Sequence, residues 1–427
     1  MTIPMIFGMI GMVAFNLVDT FYVGKIGTNE LAALSFTFPV VMVVVNIALG
    51  IGIGASAVIS GAIGKGDFHR VKRLTTDSLI LAFVIVTAFV IAGLLSIEKL
   101  FTALGASETM LPLIKQYMTI WYIGMPFVVV PMVGNNAIRA TGDTKTPSII
   151  MLVAVTVNFI MDPLLIFGIG PFPKLGLQGA AIATVMARFI TFSVAFYVLS
   201  AREKMIAFKI PKLKEVLHSW KTVLHIGIPE AGSRIIVPFS VGIITRILSG
   251  FGPAAVAGFG VATRIEFFAL SVIYALCSAF GPFVGQNLGA KKYERVRAGV
   301  KTASKISLIW GMFIFILFIS LSYPIASIFN KNPEVIRIIR IYMLLVPVSF
   351  AFQGFVLLSR TALNVMRKPI HAVGLIALQM LILYIPLAYI GAKYFEVKGV
   401  FAATLISYVV TGIVGLVVVK RVTNKLE

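Results

Sequence analysis

The chain has 427 residues, of which 59% are hydrophobic and only 12% charged, with a mean hydropathy of +1.00. Soluble domains carry about 25% charged residues, so this composition excludes a water-soluble globular protein and points to an integral membrane protein. The formal charge of +21 does not indicate a nucleic-acid partner: the basic residues fall in short linkers between apolar runs, where they meet anionic lipid headgroups and set orientation.

A helix needs about 20 apolar residues to cross the hydrocarbon core. Runs between charge clusters predict twelve spans, over 2–24, 31–63, 75–96, 111–138, 147–170, 178–200, 222–249, 254–288, 301–323, 335–359, 369–392 and 399–419. The first lacks a basic leader and carries Asn16 and Asp19, so it is expected to be a mature helix rather than a cleaved signal. The second and eighth are longer than a crossing requires and must tilt or extend, with GIGIGAS (50–56) as a candidate flexible point. Tyr117 lies in the fourth span, Asn158, Asp162 and Pro163 in the fifth, and Thr184 in the sixth. A basic linker, 201–221, then separates an amino-terminal half (1–200) from a carboxyl-terminal half (222–427). The seventh and eighth spans carry Glu230, Arg234, Arg246, Arg264 and Glu266.

With both ends cytoplasmic, the inside linkers and tail hold 24 Lys/Arg and the outside linkers and helix mouths hold 9. The opposite topology inverts that bias, so the expectation is a multi-pass plasma-membrane protein with both termini inside. The single cysteine, Cys277, allows no intrachain disulfide. His69, His218, His225 and His371 lie in or beside linkers without ligand spacing, so neither a metal site nor an intramembrane enzyme is expected.

The sequence also repeats itself at a shift of about 225 residues. Pro4 falls on Pro229, Thr20 on Thr245, Gly27 on Gly252, and Tyr117-Met118 on Tyr342-Met343; at a shift of 220, GAAIAT (179–184) meets GVFAAT (399–404). An even number of spans per repeat leaves both halves in one orientation. The fold class expected is therefore all-α, twelve transmembrane helices in two pseudo-symmetric six-helix lobes related by an axis along the membrane normal, with substrate at their interface.

The repeat separates scaffold from chemistry. Asp19 falls on Ile244, and Asp162 falls near Ile385 because Pro163 aligns with Pro386. A carboxylate near the middle of a membrane helix costs roughly 2.5–3.5 kcal/mol, yet both acids sit in one half only, at positions where the fold accepts isoleucine. That asymmetry points to ion-coupled transport. Asn158 and Asp162 share a helix face at i, i+4, and Asn16 and Asp19 stand at i, i+3. With the carbonyl that Pro163 cannot satisfy, these groups could hold H⁺ or Na⁺. The alternative for the acids is helix capping or pairing with an arginine, and for the asparagines it is helix–helix hydrogen bonding. Tyr117 and Thr184 have twins in Tyr342 and Thr404, so symmetric packing accounts for them as well as ligation does. Among Glu230, Arg234, Arg246, Arg264 and Glu266 the arginines outnumber the acids, which favours neutralising structural pairs over a second coupling site.

NLVDTFYVGKIG (16–27), GAIGKGDFHRV (61–71), RATGDTKTP (139–147) and NFIMDPLLIFGIGPFPKLGLQGAAIAT (158–184) resemble the multidrug and toxic compound extrusion (MATE) transporters, and more narrowly their DNA-damage-inducible F branch. The resemblance implies a twelve-helix antiporter, needing no cofactor, that expels cationic or amphipathic compounds in exchange for H⁺ or Na⁺. It assigns cation coupling to Asp19 and Asp162, with Asn158, Tyr117 and Thr184 in support. A second MATE branch uses acids on helices seven and ten; here the tenth span offers only Gln353. The expected partners are small-molecule substrates and membrane lipids, and nothing demands an oligomer, so a monomer is expected. The alternative is a flippase for lipid-linked saccharides or other lipid precursors, against which stand twelve spans and an acidic first half. A major-facilitator transporter is disfavoured because GKGDFHRVKR lacks that family's second glycine.

Overall fold

The computed structural model describes residues 22–23, 25–104, 106, 108–208, 211–329 and 332–425. Among these the chain is helical, with no strand. The helices are α1 (Thr28–Gly64), α2 (Phe68–Ala103), α3 (Leu111–Gly124), α4 (Pro126–Ala140), α5 (Lys145–Phe167), α6 (Leu177–Tyr197) and α7 (Leu213–Ser249), then α8 (Pro253–Gly289), α9 (Tyr293–Phe329), α10 (Pro333–Leu345), α11 (Phe350–Val365), α12 (Pro369–Ala377) and α13 (Ile385–Asn424).

Several helices are interrupted for reasons visible in the sequence. Pro126 has no N–H to continue the ladder, and α3 meets α4 at a bend of 43°; the pair forms one broken span. A π turn (Leu378–Tyr384) joins α12 to α13. The stretch Pro369–Asn424 is 56 residues long, about 84 Å if straight, far more than a bilayer of about 30 Å accepts. It is broken at Glu396, with φ 51° and ψ −138°. There the chain doubles back, so that Gly391 and Gly399 lie backbone to backbone: a Cβ on Gly391 would stand 2.5 Å from the carbonyl oxygen of Gly399. The described residues thus account for eleven of the predicted crossings. The first, 2–24, lies almost entirely outside them.

GIGIGAS runs as unbroken helix within α1, so these glycines are not a flexible point. They make room instead: a Cβ on Gly52 would meet Asn136 of α4 at 2.5 Å, and one on Gly54 would meet the Val223 carbonyl of α7 at 2.5 Å. The outward faces carry bulky apolar side chains such as Leu95, Phe83 and Ile309, as a lipid solvent requires.

The chain divides into two compact units, Met1–Ile228 and Pro229–Glu427. The division falls inside α7 rather than in the basic linker, whose last part (213–221) is already the start of that helix. This start is fastened within unit 1. Trp220 donates its indole N–H to the Asp77 carbonyl at 2.9 Å, and the Ala207 N–H donates to Thr76 at 2.8 Å. Asp77 is itself buried in a salt bridge with Arg73, one turn back on α2.

Candidate functional site

In unit 1 the centre of α5 carries Asn158 and Asp162, both wholly buried. Their i, i+4 spacing puts them on one face, and Asn158 Nδ2 donates to Asp162 Oδ1 at 3.0 Å. Asn158 Oδ1 has no hydrogen-bond partner among the described residues. Pro163, the next residue, offers no N–H to the Phe159 carbonyl.

Helix α5 ends at Gly168, whose φ of 73° is a left-handed conformation that glycine adopts without strain. The chain then returns antiparallel as α6. Leu175 and Gly176 donate backbone N–H groups to Leu165 and Ile166 at 3.0 and 3.1 Å, and Gly179 lies against the Leu165 carbonyl. This register sets Thr184 level with the turn between Asn158 and Asp162. Thr184 is buried, and its hydroxyl has no hydrogen-bond partner among the described residues. Tyr117 is buried on α3, which approaches α6 where Gly124 meets Val185. Asp19 and Asn16 lie outside the described residues. The ring of Tyr22 packs on Phe159 and Phe167 of α5, at centroid distances of 6.3 and 6.2 Å.

In unit 2 the five charged residues of the seventh and eighth spans do not form one cluster. Arg246 and Arg264 are exposed. Glu230 and Arg234, one turn apart on α7, form an ion pair at 3.4 Å. A residue the sequence reading placed in a linker joins them: Arg360 of α11 reaches Glu230 at 3.3 Å and Ser233 Oγ at 3.1 Å, and Asn364 donates to Glu230 at 2.9 Å. Two guanidinium groups therefore share one buried carboxylate. The expectation of neutralising pairs describes Glu230 but not Glu266, which has no arginine partner among the described residues. Glu266 of α8 instead accepts hydrogen bonds from the phenols of Tyr342 on α10 and Tyr408 on α13, the latter at 2.7 Å. Its donors are invisible in sequence because the tyrosines stand 76 and 142 residues away.

A family model described as MatE matches residues 4–164 and again 229–390. The chain belongs to the MATE family. The second match starts 225 residues after the first, the shift at which the sequence repeats. MATE proteins are transporters, so this chain is a multi-pass membrane transporter and not an enzyme. It is 37% identical over 430 residues to a Shewanella oneidensis protein named FAD transporter, covering all of this chain and 94% of that one. A probable multidrug resistance protein NorM of Thermotoga maritima is 25% identical over 90% of this chain and 82% of its own length. The crystal structure of the Vibrio cholerae MATE transporter VcmN in its bent form superimposes with a TM-score of 0.95, at 29% identity, over 100% of this chain and 96% of that one.

Proposed function

We propose that this MATE transporter is a secondary antiporter that takes up H⁺ or Na⁺ at the carboxylates of its first half and exports cationic or amphipathic organic compounds. Asp162 carries the reading: a wholly buried carboxylate inside a span, hydrogen-bonded by Asn158, where the repeat holds isoleucine in the second half. Buried acids in spans are expensive and mark ion pathways. Asp19 is assigned to the same site on the sequence pattern, and the contact of Tyr22 with α5 supports it. The resemblance to the DNA-damage-inducible F branch belongs to this reading, since it rests on the same acids. Two neighbouring carboxylates titrate as a coupled pair, and neutralising them drives export only if substrate affinity differs between the inward- and outward-open states.

The multidrug relatives support a cationic or amphipathic substrate, as expected from the sequence. A second reading, export of a flavin dinucleotide, is favoured by two observations. The full-length relative at 37% identity is named for FAD, and in unit 2 Arg234 and Arg360 share one carboxylate among the described residues, leaving positive charge suited to a pyrophosphate.

Reconstituted protein tests both. Vesicles loaded with FAD or with ethidium receive a pH gradient or a Na⁺ gradient. Efflux driven by one gradient and lost in Asp162→Asn is expected. Export that survives Asp162→Asn with its ion dependence intact would overturn the coupling assignment. Ethidium efflux without FAD efflux would return the substrate to the cationic class, and no efflux of either would favour the lipid-linked flippase.

A further inference from the structure

Glu266 is an intramembrane acid that the function proposed above does not use. It sits at the margin of an apolar cluster of unit 2, against Tyr342, whose ring packs on Phe259 and Phe401, and it is only partly buried. We infer that Glu266, with Tyr342 and Tyr408, forms a second proton-exchange site, built wholly within unit 2.

Two independent observations carry this. The first is the chemistry of the partners. Both Glu266 oxygens accept from phenols, and among the described residues no lysine, arginine or histidine pairs with it. An arginine would lock the carboxylate in its ionised form. A phenol oxygen both donates and accepts. When the carboxyl takes up a proton from solvent it donates that proton to one tyrosine oxygen and keeps accepting from the other. The same two tyrosines thus pair with the carboxyl in both protonation states, the accepting phenol turning its own O–H away from the carboxyl, which an Arg–Glu pair cannot do. The titratable groups that face the site are Tyr342 from α10, Tyr384 from the π turn and Tyr408 from α13, with Tyr274 farther along α8. Arg234 and Arg360 reach toward Tyr274, two turns from Glu266.

The second is the repeat. Tyr342 is the twin of Tyr117, and Thr404, whose hydroxyl donates to the Val400 carbonyl, is the twin of Thr184. The acids exchange places: Asp19 and Asp162 of unit 1 become Ile244 and Ile385, while Glu266 aligns with Val41. Each unit therefore keeps a tyrosine and a threonine and supplies its acid from a different helix.

Infrared difference spectroscopy of the purified full-length protein, stepped in pH, reads the site without transport. In an Asp19→Asn/Asp162→Asn background one protonated-carboxyl band is expected to appear and disappear with pH, and to be lost on adding Glu266→Gln. Tyr342→Phe, a gentler change, should keep the band but shift its frequency. Carboxyl bands unaltered by both Glu266→Gln and Tyr342→Phe overturn the proposal. Its transport consequence rests on the proposed antiport: Glu266→Gln should lower the protons exchanged per substrate by one while export persists. Wild-type export indifferent to every ion gradient would sink the antiport reading and leave the infrared result standing. An unchanged proton ratio beside an inactive Asp162→Asn would sink the transport role of Glu266 alone.

Discussion

In unit 1 the buried acid Asp162 takes a hydrogen bond from Asn158, one turn away on its own helix. In unit 2 Glu266 takes both of its bonds from tyrosines on two other helices, and Glu230 is shared between α7 and α11. The repeat has kept the helices and moved the charge. An acid that bridges helices ties their packing to its proton. A proton exchanged at Glu266 is thereby registered by α8, α10 and α13 together.

The largest effect that sharpens this contrast is Asp162→Asn. It should reduce gradient-driven export to the rate of protein-free vesicles while Tm stays within a few degrees of wild type. The matching insertion of a polar group in unit 2, Ile385→Asn, should leave the ion dependence unchanged. If Ile385→Asn abolished coupling as well, the two units would be working as equals and the contrast would fail.

Glu230→Gln comes next. Breaking a buried ion pair from one side costs about 3–5 kcal/mol because the remaining charge is stranded. Here the side chain of Arg234 is 31% exposed, so a loss near the lower figure is expected, read as a fall in Tm of the detergent-purified protein. If the stranded guanidinium groups accept anions, FAD or pyrophosphate should raise the Tm of Glu230→Gln more than that of wild type. Equal shifts would remove the argument for an anionic substrate.

Where the units are alike, substitutions should hurt them alike. Gly179 and Gly399 are twins at the 220-residue shift, and each presses against backbone: Gly179 on Leu165, Gly399 on Gly391. A methyl at either position has nowhere to go, since backbone cannot swing aside. Alanine at each should cost about 1–3 kcal/mol, measured by thermal unfolding of the two single variants. A large loss in one unit only would show that the helix hairpins are not equivalent.

The features legible in the sequence were those with a local signature. Apolar runs gave the spans, and the shared Tyr-Met and Gly-containing blocks gave the repeat. Asn158 and Asp162 could be paired because i, i+4 spacing on a helix is itself geometry. Arg360 was missed because an apolar-run criterion ended the tenth span at residue 359, although α11 continues to Val365. An arginine that pairs inside the protein looks, in sequence, like one that ends a helix. Glu266 was grouped with the arginines by proximity along the chain, but its partners come from α10 and α13, and no spacing rule reaches that far. The bend at Pro126 follows from proline, and the break at Glu396 falls in the charged stretch 393–398 between the eleventh and twelfth predicted spans.

The smallest effect concerns how the fifth span begins in unit 1 and its counterpart begins in unit 2. Asp143 accepts from the backbone N–H groups of Lys145 and Thr146 at 2.9 and 3.0 Å, from the Thr146 hydroxyl, and from Arg202. In unit 2, α12 starts after Lys368 with no side-chain cap. Partial burial works against the charged form of Asp143. The hydrogen bonds from Thr146 and the charge of Arg202 outweigh it and hold this carboxyl below the usual carboxylate range. A carboxyl depressed on folding contributes stability at pH values above the ordinary carboxylate pKa, and that stability is lost as pH falls through the lowered pKa. Replacing a helix-capping acid costs about 1 kcal/mol. Asp143→Ala should therefore lower Tm modestly at neutral pH, and the difference from wild type should shrink as the pH is taken below the ordinary carboxylate range. Replacing Lys368 with aspartate should give α12 the cap it lacks and raise Tm by a similar amount. A gap between Asp143→Ala and wild type that held constant to low pH would mean that the aspartate acts through packing and not through its charge.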